Sequence, residues 1–198
     1  MDLILRDNIG KLSRMPWQLC IDVECLMILR SSLEAVAPEE GCALLIGESS
    51  SEWSVRQVWP CCNVWIPGLF GFSELDCNGA ADSQAVPSRC SRFALDPREQ
   101  IAAQRWARAR GWQVLGSAHS HPGGEPVPSA VDRRWAAAAG VMLIDAGRGG
   151  LAAWWLQGPS PDAVHALPLV TCQTIPAQPN SSCLGDDGTS SPSRSQLR

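Results

Sequence analysis

The chain has little histidine and almost no lysine. Of 198 residues only three are histidine (His119, His121 and His165), and the 16 basic residues comprise one lysine, Lys11, and fifteen arginines. No apolar run approaches the ~18–20 residues needed to span a bilayer, so no membrane association is expected. A net charge of −4 supplies no basic field for phosphates, which argues against nucleic acid as a partner. Nine cysteines are present, an odd number, but none stands at the Cys-x-x-Cys spacing of a zinc knuckle or thioredoxin-like centre. The stretch from Met1 to Cys20 lacks the continuous apolar centre of a secretory signal, because Asp2, Arg6, Asp7, Lys11 and Arg14 interrupt it. Reduced thiols and a cytoplasmic location are therefore expected.

Hydrophobic residues make up 45% of the chain and charged residues 18%, enough apolar material for one sizeable core. Residues 1–14 carry weak structural signals ahead of an internal Met15. One reading starts translation there and leaves them as an untranslated extension. The folded domain is expected over 15–172. Residues 173–198, rich in serine and proline and poor in bulky apolar side chains, read as a disordered tail.

Within the domain, Asp22 is a plausible N-cap for a helix running to Val36. Val23, Leu26, Met27, Leu29 and Leu33 recur at spacings of three and four, and Pro38 lies just beyond. Cys42–Ile46 reads as a buried strand and Trp53–Trp59 as a half-buried one. The stretch 60–89 is irregular and long enough to be either functional or disordered. Arg92–Pro97 reads as a short strand leading to a helix that Asp96 caps, Pro97 opens and Gly111 ends. A strand over Val114–His121, a short alanine-rich helix over Ala130–Ala139, and strands over Val141–Ile144, Leu151–Leu156 and Ala163–Val170 complete the pattern. Helices and strands alternate without a regular βαβ repeat, so the expected class is α/β of the α+β kind, a mixed sheet flanked by helices.

Chemistry concentrates between His119 and Asp132. On a strand, residues i and i+2 share a face, so His119 and His121 converge. Two imidazoles and a carboxylate suit Zn²⁺, whose catalytic sites keep three protein ligands and an open position. Asp132 supplies the carboxylate from the first turn of the next helix. Ser129 and Asp132 also form a capping-box variant, a role they fill whether or not metal binds. His-x-His alone is weak evidence; both histidines, a Gly-containing turn and a helix-initial aspartate within fourteen residues are stronger. Glu39 and Glu40 precede the buried strand, and either could face the site. His165 has no acidic or cysteine neighbour in sequence and reads as structural or exposed. Trp154 and Trp155 cannot both face one side of a strand, so one must be exposed or cover another surface.

The spacing His119-x-His121-Pro122, six residues, Ser129, two residues, Asp132 resembles the JAMM/MPN+ zinc metalloprotease signature at every defined position. That family also places a glutamate before a cysteine-containing apolar strand, where this chain has Glu40 ahead of Cys42. Asn63, Arg92–Pro97 and Gly116 extend the similarity, which spans Trp17 to Leu169. One departure is visible: the family usually has glycine directly after the strand cysteine, whereas here Ala43 follows Cys42 and Gly41 precedes it.

The resemblance implies a JAMM/MPN-type, cytidine-deaminase-like fold. It implies one catalytic Zn²⁺ on His119, His121 and Asp132, Glu40 as proton carrier, and Ser129 as oxyanion donor. It also implies hydrolysis of an amide bond after the C-terminal tail of a ubiquitin-like or sulfur-carrier protein. The loop 60–89 would hold that tail by strand addition. A homodimer is left open. The rival reading is a non-catalytic MPN-type scaffold, although such modules lose ligands and this chain keeps all five positions. A DNA-repair-associated relative is a further alternative, disfavoured by the absence of a basic face.

Overall fold

Asp22 ends the first strand and caps the first helix, its carboxylate accepting a hydrogen bond from the Glu24 amide. That junction is drawn from a computed structural model describing residues 15–50, 52–68, 87–135, 140–158 and 160–172. The elements run β1 (Leu19–Asp22), α1 (Val23–Glu34), β2 (Cys42–Ser49), β3 (Trp53–Cys61), α2 (Pro97–Arg108), β4 (Gln113–Ser120), α3 (Ala130–Trp135), β5 (Gly140–Asp145), β6 (Leu151–Leu156), β7 (Val164–Leu167) and β8 (Leu169–Cys172). The expected class stands: one mixed sheet with helices against it. The expected extension, tail and much of the 60–89 loop (1–14, 173–198 and 69–86) lie outside the described residues, as do residues 136–139 of the expected alanine-rich helix.

The eight strands are ordered β7-β6-β5-β4-β2-β3-β1-β8. β4 pairs parallel with β5, and β1 runs parallel to both β3 and β8; the other pairings are antiparallel. β7 and β8 form opposite edges of this sheet, yet only Pro168 separates them. Three consecutive Cα atoms span at most ~7 Å, so the two edges must meet and the sheet must curl around its inner face. Trp53 on β3 and Trp155 on β6 confirm the curl, their rings meeting edge-on with centroids 5.2 Å apart. The single strand expected over Ala163–Val170 is thus corrected to two. Proline lacks the amide a continuing ladder requires, and here the Pro168 carbonyl instead accepts from Leu19.

The inner face holds the main core, with Leu19, Ile21, Leu45, Val55, Leu115, Leu143 and Trp155 fully or almost fully buried. α1 closes it with Cys25, Leu29 and Leu33, one side chain per turn, while Val23 and Met27 of the expected apolar stripe are exposed. On the outer face α2 lays Ala103 and Ala107 over Leu44 and Ile46. Asp96 caps α2 and Pro97 opens it, as the sequence indicates. The expected strand over Arg92–Pro97 reduces to a single bridge between Leu95 and Asn63.

The expectation that all thiols are reduced is corrected at one pair. Cys20 on β1 and Cys172 on β8 form a disulfide with Cα atoms 6.2 Å apart. The two lie 152 residues apart in sequence, and only the parallel pairing of the first and last strands brings them together. Cys25, Cys42, Cys61, Cys62 and Cys90 are free thiols. Among the described residues no helix is long and apolar enough to cross a membrane.

Candidate metal centre

The centre is assembled where β4 ends beside β2 and β5. His119 sits on β4, paired across to Cys42 on one side and Ile144 on the other, and is completely buried. Two residues on, the chain leaves the sheet, and the His121 amide donates to the Asp145 carbonyl at 2.9 Å. A turn follows, with Gly123 at φ 75° and the Gly124 amide bonded to the His121 carbonyl. The turn brings the chain to Ser129, where the helix begins with reciprocal caps. The Ser129 amide donates to Asp132 Oδ2 at 2.7 Å, and the Asp132 amide donates to Ser129 Oγ at 3.2 Å. The capping box anticipated from Ser129 and Asp132 is therefore present, and it fixes the carboxylate that faces the histidines.

His119, His121 and Asp132 offer ligand atoms that all lie within 4.8 Å of one another, and no other such group occurs among the described residues. The two Nε2 atoms are 2.9 Å apart. Asp132 Oδ1 is 3.4 Å from His119 Nε2, and Oδ2 is 3.5 Å from His121 Nε2. The Glu125 carbonyl lies 2.8 Å from His121 Nδ1, so in the neutral ring that nitrogen carries the proton and Nε2 keeps its lone pair. Three ligand atoms this close in a buried space call for a proton or a cation between them. Neutral imidazoles and an ionised carboxylate are also the forms that bind metal, so the donor set fits Zn²⁺.

The electrostatics agree with this reading for His119 and Asp132. Burial holds the His119 imidazole below the ordinary histidine value despite the Asp132 carboxylate. Burial also acts to lower His121, but Asp132 and the Glu125 carbonyl outweigh it and the net shift is upward. For Asp132 burial pulls upward, and the two imidazoles with Ser129 hold the carboxyl well below the usual range. Phe93 covers His119 with a stacked ring, centroids 4.3 Å apart.

Of the two candidate glutamates, Glu40 is the buried one, 6% exposed, whereas Glu39 pairs with Arg89 at 3.9 Å near solvent. Desolvation, helped by the Asp132 charge, pushes the Glu40 carboxyl up to about 7 against the opposing pull of His121 and Arg92. Its backbone is fixed on both sides. The Glu40 amide donates to the Arg89 carbonyl at 2.7 Å, and the Glu40 carbonyl accepts from Asn63 Nδ2 at 3.0 Å. Ser120, between the two histidines, accepts from the Gly41 amide through Oγ and donates its own amide to the Gly41 carbonyl. Glu40 is thus tied to the strand that carries His119. His165 is exposed on β7, away from this cluster, as expected. Of the tryptophan pair, Trp155 enters the core, while Trp154 on the other face donates its indole N–H to the Pro126 carbonyl at 2.8 Å. Neither Phe93 nor the contact from Trp154 was foreseeable from motif spacing. The alternation of side chains along a strand was the only available signal, and only for the tryptophan.

A curled mixed sheet whose strand end supplies His-x-His, followed by a helix supplying the aspartate, is the arrangement of JAB/MPN-type domains. Residues 23–157 match the family described as prokaryotic homologs of the JAB domain, and the chain belongs to it. A desampylase of Haloferax volcanii is 31% identical over 107 residues, 54% of this chain. The match spans 61% of that relative's length. The solution structure of protein DSY2949 from Desulfitobacterium hafniense has the same fold, with a TM-score of 0.61 at 22% identity over 80% of this chain and 96% of that one.

Proposed function

We propose that this chain is a zinc-dependent peptidase or isopeptidase. Its substrate is an amide bond after the C-terminal tail of a ubiquitin-like or sulfur-carrier protein. The observation that carries the reading is a buried His119–His121–Asp132 donor set beside a buried glutamate held near neutrality. The substrate class rests on the family resemblance and on the similarity to a desampylase. A cytoplasmic location is part of the same proposal.

Zinc bound there would supply Lewis-acid polarisation of the scissile carbonyl and lower the pKa of a water to ~7. His119 and His121 would present Nε2 and Asp132 a carboxylate oxygen to the ion. Glu40 takes the proton from the attacking water and later delivers it to the leaving amine. A carboxyl raised to about 7 suits a group that must both take and release a proton near neutral pH. Ser129 Oγ accepts from the Asp132 amide, and its side chain also bonds the Asp132 carboxylate. The hydroxyl would turn from Asp132 to a developing oxyanion, a role worth on the order of 3–4 kcal/mol of barrier. The tail-holding role expected of the 60–89 segment remains part of this proposal, since the Arg89 carbonyl is bonded directly to the Glu40 amide.

The test is cleavage of a fusion in which a small β-grasp carrier precedes a reporter, using wild type and Glu40→Gln. The proposal expects both proteins to bind zinc and only the wild type to cut. A zinc-loaded wild type inert on every carrier fusion would favour the scaffold instead.

A further inference from the structure

Trp154 lies on β6, outside the motif, and yet its indole reaches the turn that leaves His121. We propose that Trp154 is a positioning residue for the metal centre: its indole N–H holds the Glu125–Pro126 segment so that the Glu125 carbonyl fixes the tautomer and orientation of His121. This rests on the metal-site reading above.

The chain of contacts is short. Trp154 Nε1 donates to the Pro126 carbonyl at 2.8 Å, and the neighbouring Glu125 carbonyl lies 2.8 Å from His121 Nδ1. The backbone of His121 is already anchored through its amide to Asp145, so what stays free to vary is the ring. A ring whose Nδ1–H is held by an acceptor presents the Nε2 lone pair. Without the acceptor it can flip, or shift its proton to Nε2, and then offers no lone pair to a metal. Within the turn the Gly124 amide bonds the His121 carbonyl, and Pro122, Pro126 and Pro128 restrict φ. Gly123 has a left-handed φ of 75°, and Gly124 carries no side chain. The indole bond ties this turn to the sheet. Trp154 itself is firmly placed, paired opposite Met142 and packed with Met142, Ile144 and Leu156.

A packing role alone predicts something different. Trp154→Phe keeps an aromatic ring against Met142 and Leu156 but deletes the donor. If the bond positions His121, ring-nitrogen NMR of the metal-free wild type shows His121 as a single Nδ1–H tautomer, and Trp154→Phe shows a mixture. Zinc affinity, measured by competition with a chelator, falls about 10-fold, the low end for losing a partner behind a ligand. A single tautomer and unchanged affinity in Trp154→Phe would overturn the inference.

A second measurement needs no variant. Linkage requires zinc to strengthen the indole bond by the factor by which that bond strengthens zinc binding. Hydrogen exchange at the Trp154 indole in the wild type should slow about 10-fold when zinc is added. No change on saturation would also overturn the inference. The two readings fail separately: a wild type that binds no zinc removes the metal centre, whereas equal binding by wild type and Trp154→Phe removes only the positioning role.

Discussion

Replacing Glu40 with glutamine should change how stability depends on pH, in a direction the burial dictates. Glu40 is 6% exposed, and its carboxyl is raised from an ordinary 4.5 to about 7. A raised acid binds its proton more tightly folded than unfolded. Its stabilising contribution is therefore complete below pH 4.5 and is lost as pH climbs through 7. Each pKa unit corresponds to 1.36 kcal/mol, so the loss across that window is roughly 3 kcal/mol. Glutamine keeps the shape and has nothing to ionise. In the chelated protein, urea unfolding at pH 4 and pH 8 should show wild type losing roughly 3 kcal/mol relative to Glu40→Gln between the two. At pH 8 the variant should be the more stable protein. Stability curves that stay parallel from pH 4 to 8 would mean that Glu40 is solvated, and the proton-carrier role would lose its physical basis.

Asn63 bonds the Glu40 and Arg92 carbonyls and accepts from the Trp65 and Ala94 amides. Asn63→Ala should cost on the order of 3 kcal/mol in urea unfolding; under 1 kcal/mol would show that the bonds are replaced by water. Ser129→Ala should lower kcat by about 10²–10³ and stability by about 1 kcal/mol, with zinc content unchanged, because the Ser129 amide still holds Asp132. Loss of zinc in that variant would contradict the assignment. A Cβ at Gly41 would lie 2.8 Å from Leu33 Cα and 2.9 Å from Val36 Cγ2, so Gly41→Ala must displace the end of α1. A loss of about 1–3 kcal/mol is expected in thermal or urea unfolding.

That glycine also explains a departure visible in the sequence. Where the family places glycine after the strand cysteine, Ala43 fits a fully buried core position here, and the close backbone approach falls at Gly41 instead. Local signals carried far in this chain. Asp22, Asp96 and Ser129 cap the helices they precede, and the alternation of a strand puts His119 and His121 at one cluster. Non-local facts were not legible. The cystine joins residues whose spacing carries no information about pairing, and the sheet's curl follows from a strand order that no local pattern encodes. Pro168 was a readable break, yet only the topology shows that it carries the chain from one sheet edge to the other. The choice between Glu39 and Glu40 was closed to periodicity as well; burial separates them.

The central claim is that amide hydrolysis by this chain depends on a metal held by His119, His121 and Asp132. The direct measurement is cleavage of a carrier-protein fusion by wild type as isolated, after chelation, and after adding back one equivalent of zinc, with Asp132→Asn carried through the same steps. Activity lost on chelation, restored by zinc in the wild type and never present in Asp132→Asn is the predicted result. Undiminished cleavage by protein shown to be metal-free would contradict it.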